Sequence, residues 1–219
     1  MAKANKKAGN SISLERVLKM IVGSVLIGVA VACYRVSLFG VDAYTCMNLG
    51  LSGFLGIRFG NFSLIMNTIL FVAVLFIARE HIGIGTLVNM ASVGYVADFC
   101  YWIVMDIMGV QAGMFLRILF LAAASILIAL GCALYMNAKL GIAPYDAIAF
   151  IIVKFMKGKI SFRAARVVSD VTVVIIGVTF CLIGHNNLME IIGLGTIVNA
   201  LFNGPLIQFF LTKIEKHHS

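Results

Sequence analysis

Ionisable side chains inside apolar segments are the residues of this sequence that could most plainly do chemistry. Asp98 lies well inside one long apolar run, and Asp170 lies inside another with Arg166 one helical turn before it. Burying a charge in hydrocarbon is costly unless the charge is paired or hydrated. An i, i+4 Arg–Asp pair can neutralise itself on one helix face, whereas Asp98 has no such neighbour in sequence. We therefore predict either a structural ion pair or a substrate site at Arg166 and Asp170, and we regard Asp98 as a candidate for proton coupling.

A second candidate site lies in the stretch Gly141-Ile-Ala-Pro-Tyr-Asp146. Proline suits the first position of a helix, and Asp146 in the first turn complements the helix dipole. Helix capping alone would explain these residues, but Tyr145 and Asp146 could also bind a substrate. The similar stretch at 40–45 keeps the glycine and the tyrosine without the proline and the aspartate at those places. We therefore expect any site here to be asymmetric.

Two stretches of the chain are almost identical: Ile82-Gly-Ile-Gly-Thr-Leu-Val-Asn89 and Ile192-Gly-Leu-Gly-Thr-Ile-Val-Asn199. The glycines could let helices approach closely, and each threonine could cap a helix start. Alternatively, the two stretches form helix N-termini whose free N–H groups face an anionic group of a substrate. No lysine follows and no strand precedes, which excludes a nucleotide-binding loop.

These patterns together define a candidate substrate-binding set within the apolar segments. The set is Thr86, Asn89, Asp98, Tyr145, Asp146, Arg166, Asp170, Thr196 and Asn199. No nucleophile–base arrangement, zinc motif or paired-carboxylate spacing is visible, so we predict that the protein is not an enzyme and uses no cofactor or metal. The five cysteines lie in apolar segments without a CxxC pair, and we expect them to act as packing residues.

The composition identifies the class of protein that must position these residues. Hydrophobic residues make up 62% of the chain, charged residues make up 12%, and the mean hydropathy is +1.05. These values lie far outside those of soluble domains. The net charge of +8 comes from basic residues at the ends of apolar segments, which indicates membrane anchoring and no nucleic-acid partner. We predict an all-α, polytopic helical membrane protein.

The chain divides into two similar series of apolar segments, the first four and the last four of the following: 16–39, 43–57, 61–78, 83–108, 117–137, 144–156, 165–184 and 191–211. Eight identities recur at one constant spacing, from Arg16, Ser24, Leu26, Ile27, Ala32, Tyr34, Gly40 and Tyr44 to Arg117, Ser125, Leu127, Ile128, Ala133, Tyr135, Gly141 and Tyr145. We therefore predict two internal membrane repeats, 16–110 and 111–212, between cytoplasmic tails at 1–15 and 213–219. A site near the middle of the membrane, between the repeats, would be typical of transporters.

The short segments 43–57 and 144–156 determine how the two repeats are oriented. If both cross the membrane, the repeats are parallel and there are eight crossings. If both are re-entrant, the repeats are inverted. The 17 Lys and Arg residues place both termini in the cytoplasm in either arrangement, so they do not decide between the two. We favour eight crossings because the short segments are apolar enough to cross with help from interfacial residues.

The densest basic run of the chain precedes the seventh segment. We expect Lys154, Lys157, Lys159 and Arg163 to contact anionic lipid headgroups. In the alternative interpretation, Arg163 or Arg166 binds an anionic substrate. The glycine-rich helix faces are also compatible with a homo-oligomer.

The stretch 141–146 also resembles the YczE/YitT-like family of bacterial integral membrane proteins. The resemblance extends over about residues 16–211 and is clearest in the second half. It includes Ser161-Phe-Arg163, Arg166, Asp170, Gly193-Leu-Gly-Thr196 and Gly204-Pro205. The resemblance implies a multi-pass protein of the bacterial plasma membrane with duplicated halves, of a kind often described as a possible transporter.

We therefore expect a small-solute transporter with its site between the repeats, and proton coupling is one form of that prediction. The substrate is an unidentified small molecule. The alternative is a non-enzymatic binding subunit or scaffold that works with a partner protein. A lipid-handling enzyme is a third hypothesis, which no catalytic motif in the sequence supports.

Overall fold

The computed structural model describes residues 13–216, apart from the side chains of Phe162 and Arg163. Over this part of the chain the fold is all-helical, as predicted. Its helices are α1 Leu14–Ser37, α2 Ala43–Leu55, α3 Phe59–Ile77, α4 Ile84–Trp102, α5 Met114–Ala138, α6 Pro144–Phe155, α7 Phe162–Ile183, α8 Leu188–Ile191 and α9 Leu194–Lys216. A π-helical stretch, Ile103–Ile107, continues α4. Most of the predicted N-terminal tail and the end of the C-terminal tail lie outside the described residues.

Six helical stretches are long and apolar enough to cross a membrane: Leu14–Ser37, Phe59–Ile77, Ile84–Ile107, Met114–Ala138, Ala164–Ile183 and Leu188–Lys216. Many of their large apolar side chains point outward, and Phe76 and Phe115 are more than four-fifths exposed. Such surfaces suit lipid contact. The chain is therefore a multi-pass membrane protein by length and composition.

The two short helices do not reach the length of a span. With 13 residues in α2 and 12 in α6, their axes are about 20 and 18 Å long, against roughly 30 Å of hydrocarbon. Asp42 caps the start of α2, and Gly56 ends that helix in the left-handed conformation. The sequence favoured eight crossings, whereas the structure has six candidate spans, because strong start and stop residues keep these two helices short.

Helices α1 and α5 pack against each other along their length and run antiparallel. At one end, the Arg16 Nε donates to the carbonyl oxygen of Ala138 at 2.8 Å. Near the other end, the hydroxyls of Tyr34 and Ser125 lie 3.2 Å apart. Between these contacts the backbones nearly touch, since a Cβ on Gly23 would lie 2.7 Å from the Gly131 carbonyl oxygen. This pair forms the centre of the bundle.

The remaining helices surround this pair. Helix α4 packs on α1, and α9 packs on α5. Helix α2 packs on α7, and α6 lies between α3 and α7. Consequently the two short helices are covered by longer ones.

Two loops each rest on the start of a helix that is distant in sequence. The loop 38–42 lies on the start of α9, where the Gly195 N–H donates to the Phe39 carbonyl oxygen at 2.5 Å. The loop 139–143 lies on the start of α4, where the Gly85 N–H donates to the Leu140 carbonyl oxygen at 2.8 Å. In each loop a glycine adopts a positive φ, +86° at Gly40 and +115° at Gly141, which side chains rarely permit. These two contacts lock the short connections that lead into α2 and α6.

Candidate functional site

The first turns of α2 and α6 meet inside the bundle. Their aromatic residues, Tyr44 and Tyr145, stack with ring centroids 4.5 Å apart and planes 17° apart. Asp42 caps α2 by accepting a hydrogen bond from the Thr45 N–H at 3.1 Å, and Asp146 lies in the first turn of α6. Each helix start carries partial positive charge, which these two carboxylates complement.

Arg166 on α7 joins these groups. Its Nη1 lies 2.6 Å from an Asp146 carboxylate oxygen, and its Nε lies 3.4 Å from an Asp170 oxygen. The guanidinium carbon also lies 4.8 Å from the centre of the Tyr145 ring. The Tyr145 hydroxyl donates to Asp170 at 2.5 Å. The predicted i, i+4 pair of Arg166 and Asp170 is thus confirmed as an ion pair, within a larger network.

We call this set the central cluster: Asp42, Tyr44, Tyr145, Asp146, Arg166 and Asp170. Its three carboxylates face a single guanidinium. The side chains of Asp146, Arg166 and Asp170 are 46%, 34% and 35% exposed, so the described residues do not enclose the cluster completely. Burial raises the pKa of Asp42, and the nearby Asp170 carboxylate raises it further.

A polar face of α2 extends away from the central cluster. Asn48, one turn after Tyr44, is only 1% exposed. Its side-chain nitrogen and oxygen, and the Tyr44 hydroxyl, are buried without a hydrogen-bond partner among the described residues. One further turn along, Ser52 lines a cleft of about 700 Å³ at the end of α2. The polar face of α2 therefore connects the central cluster to this cleft.

The cleft contains a second ion pair, between Arg35 on α1 and Asp98 on α4. Arg35 Nη1 lies 2.8 Å from one carboxylate oxygen, and the Gly60 N–H donates to the other at 2.6 Å. The guanidinium also lies over Tyr101, 4.0 Å from the ring centre. Asp98 has no neutralising neighbour along its own helix, and Arg35 supplies one from 63 residues away. Asp98 therefore lies outside the central cluster.

The Gly-x-Gly-Thr stretches form the starts of α4 and α9, and their helix-start N–H groups are occupied. The Gly83 N–H donates to Thr86 Oγ1 at 3.2 Å, and the Thr86 hydroxyl donates to the Ile142 carbonyl oxygen at 2.8 Å. The Gly193 N–H likewise donates to Thr196 Oγ1 at 3.3 Å. The expectation of free N–H groups facing an anion is therefore wrong at both glycines. Close packing of loop and helix, the other interpretation, accounts for these contacts.

The two predicted asparagines also lie apart from the central cluster. Asn89 is buried on α4. Asn199 on α9 donates from Nδ2 to the Tyr34 hydroxyl at 3.1 Å, within the packing of α1, α5 and α9. Of the predicted set, the structure thus brings together Tyr145, Asp146, Arg166 and Asp170 and leaves the others elsewhere.

Sequence reasoning did not include four residues that the structure places at these two sites: Arg35, Asp42, Tyr44 and Asn48. Tyr44 carried a usable signal, because it matches Tyr145 at the repeat spacing. Asp42 also carried a usable signal, because an aspartate three residues before Thr45 is placed to cap the start of a helix. Within residues 13–216, no three His, Cys, Asp or Glu side chains are close enough to share a metal ion.

Comparison with known proteins identifies a family whose function is unknown. The model of a family of unknown function, DUF6198, matches residues 14–212. The chain is 20% identical to the uncharacterized protein YyaS of Bacillus subtilis (strain 168) over 196 residues, or 90% of this chain and 92% of that protein. It is 28% identical to an uncharacterized protein of Haemophilus influenzae over 138 residues, or 63% of this chain and 57% of the relative. No solved structure matches the chain.

Proposed function

We propose that this chain, which belongs to the family of unknown function DUF6198, is a small-solute membrane transporter whose binding site is the central cluster. One observation carries the proposal. A partly exposed network of charged side chains lies where two helices too short to span the membrane begin, within a bundle of long apolar helices. Placing ionisable groups in such surroundings costs free energy, and groups of this kind usually line a pathway for a substrate or an ion.

We further propose that the two repeats are inverted and that α2 and α6 are re-entrant. The recurring identities, the antiparallel α1 and α5, and the two reciprocal loop contacts all support this arrangement. The position of both short helices along α3 also supports inverted repeats. Helix α2 ends beside the start of α3, whereas Lys154, at the end of α6, donates to the carbonyl oxygen of Ile77 at the end of α3. The two helices thus leave the central cluster towards opposite ends of a helix long enough to cross.

In this arrangement both termini lie on one side of the membrane. We propose that this side is the cytoplasm and that the membrane is the bacterial plasma membrane, as the positive-inside rule and the resemblance to the YczE/YitT-like family suggest. Lys157 and Lys159 are then available for anionic lipid contacts, while Lys154 is also bonded to α3. Arg163 belongs to the same proposal, although its side chain lies outside the described residues.

Flux assays with purified protein in proteoliposomes test the transport proposal. We expect uptake of at least one member of a broad panel of small solutes, and we expect Asp170→Asn to abolish it. Thr172→Val is the matched control, because Thr172 is exposed on the same helix. An imposed pH gradient tests the proton-coupled form. Flux no greater than in empty liposomes across the panel, or full flux in Asp170→Asn, would contradict the proposal.

A binding subunit or scaffold is the second candidate, and α9 favours it because α9 belongs to the least buried of the six candidate spans. Among the described residues of α9, only Gly195 is buried, while Ile197, Leu201 and Phe202 are more than half exposed. Co-purification of the full chain from its native membrane distinguishes the two functions. A stoichiometric protein partner together with absent flux would favour the subunit.

A further inference from the structure

We propose that the central cluster recognises a small organic cation, and that Arg166 occupies the cation position until the ligand displaces it. The inference rests on the central cluster being the binding site of the proposed transporter, but it does not require transport. It therefore names a substrate class for a site that the comparisons leave unassigned.

The balance of charge favours a cation over an anion. Asp146 and Asp170 both pair with the Arg166 guanidinium, and Asp42 lies near enough to feel the charges of Arg166 and Asp170. The two carboxylates therefore outnumber the guanidinium even when Asp42 is protonated. An anion entering beside Arg166 would meet Asp146 and Asp170 within a few ångströms of the same guanidinium. Their repulsion in a partly desolvated site would exceed the attraction of one arginine that is already paired.

The position of the Arg166 guanidinium resembles that of a bound organic cation. It lies on the face of the Tyr145 ring, 4.8 Å from its centre, with carboxylate oxygens of Asp146 and Asp170 at 2.6 and 3.4 Å. An aromatic face combined with carboxylates is the environment in which proteins bind ammonium and guanidinium groups. Both carboxylates are more than a third exposed, so neighbouring side chains leave room for a cation to compete with Arg166.

A second observation points independently to a polar ligand. Asn48 is 1% exposed, and its side-chain oxygen and nitrogen have no partner within the described part of the chain. The Tyr44 hydroxyl is also buried there, and the Asn48 side chain is its polar neighbour. Leaving buried polar groups unsatisfied costs about 1–3 kcal/mol each, so they usually meet a ligand or a water molecule. The Asn48 side-chain oxygen and the Tyr44 hydroxyl oxygen could accept hydrogen bonds from the N–H groups of a cation.

Ligand-dependent stability of the purified full-length protein tests this inference without a transport assay. The probes are methylammonium, tetramethylammonium and millimolar guanidinium, compared with sodium, potassium, acetate and phosphate at equal ionic strength. We expect a saturable rise in the thermal midpoint with at least one organic cation and none with the anions. Stabilisation by acetate or phosphate alone, or by sodium and potassium equally, would overturn the proposal.

The Arg166→Gln variant gives the sharper result. Removing the competing guanidinium should tighten binding of the organic cation by about two- to fivefold, which is the gain expected from breaking a partly exposed ion pair. Asp170→Asn should weaken binding at least as much. Thr172→Val is the matched control, since Thr172 is exposed on the same helix outside the central cluster, and the affinity of this variant should equal that of the wild type. Loss of cation binding in Arg166→Gln would contradict displacement.

The separate measurements keep the two proposals apart. Cation binding without flux would contradict the transport proposal and leave the cation-binding proposal intact. Flux of anions alone would contradict the cation-binding proposal and leave transport intact. If Arg166→Gln does not fold, the wild-type panel still decides the ligand class. Arg166→Lys then tests displacement, because a lysine forms a poorer match to the carboxylates and the ring and should also tighten binding.

Discussion

The rings of Tyr44 and Tyr145 stack 4.5 Å apart although the two residues belong to different short helices. Each tyrosine lies in the first turn of its helix, so this one contact joins the start of α2 to the start of α6. The Tyr145 hydroxyl extends the contact to Asp170 on α7. The stack is therefore the point at which three separate elements are fixed relative to one another.

We expect the two tyrosines to be energetically coupled. Tyr44→Ala or Tyr145→Ala should each destabilise the fold by about 3 kcal/mol through lost packing. The double variant should cost about 1 kcal/mol less than the sum, because the stacking interaction can be lost only once. Denaturant titrations in mixed micelles measure these free energies of unfolding. Strict additivity would show that the stack contributes nothing of its own.

Removing either charge of the Arg35–Asp98 ion pair should destabilise the fold. The side chains are 12% and 25% exposed, so Arg35→Gln or Asp98→Asn leaves the remaining charge partly desolvated and should cost about 3 kcal/mol. The double variant should be more stable than the sum of the two losses predicts. Arg35→Lys is an informative control, since it keeps the charge but loses the planar contact over Tyr101. Unfolding titrations again provide the measurement.

Gly83 should tolerate no side chain. A Cβ at this position would lie 2.1 Å from the Leu140 carbonyl oxygen, and backbone atoms cannot move aside cheaply. We expect Gly83→Ala to destabilise the protein by roughly 1–3 kcal/mol. Gly113→Ala is the matched control, because Gly113 also precedes a helix and a Cβ there meets nothing within 4 Å. Equal thermal midpoints for the two variants would contradict the close packing.

Asp42 should make the stability of the folded protein decrease as the pH rises. Burial raises the pKa of Asp42 above its ordinary value of 3.8, with Asp170 raising it and the Thr45 hydrogen bonds and Arg166 opposing the shift. The folded state thus holds the proton more tightly than the unfolded state. This contribution to stability is present at low pH and is lost as the pH rises from 3.8 through the raised value.

The Asp42→Asn variant isolates that contribution. Asparagine retains the helix cap but cannot ionise, so the difference in stability between the variant and the wild type should grow in favour of the variant as the pH rises. Unfolding free energies at several pH values measure it. A constant difference would show that Asp42 does not titrate differently in the folded state.

Local patterns in the sequence predicted the helices and part of the central cluster. Pro144 fixed the start of α6, and the i, i+4 spacing of Arg166 and Asp170 foretold an ion pair. Both depend on neighbours within one or two turns, which a sequence displays directly. The same holds for the apolar segments that became the six long helices.

Contacts between distant helices were not predictable in this way. The partner of Asp98 comes from α1, and Tyr44 meets Tyr145 only because α2 and α6 start at the same place. The short helices themselves were predicted closely, as 43–57 and 144–156 against the observed Ala43–Leu55 and Pro144–Phe155. Apolar character suggested that both segments cross, but Asp42 and Gly56 limit α2 to about 20 Å, and neither short helix is among the six candidate spans.

The two loop contacts also imply an order of events while the chain is being made. The loop 139–143 emerges after the start of α4, so the surface that receives Leu140 already exists. The loop 38–42 must instead wait for Gly195, because the surface that receives it belongs to the start of α9. The entrance to α2 therefore closes only after α9 has been made. A nascent chain that stops before α9 would leave this loop without the backbone contact that holds it.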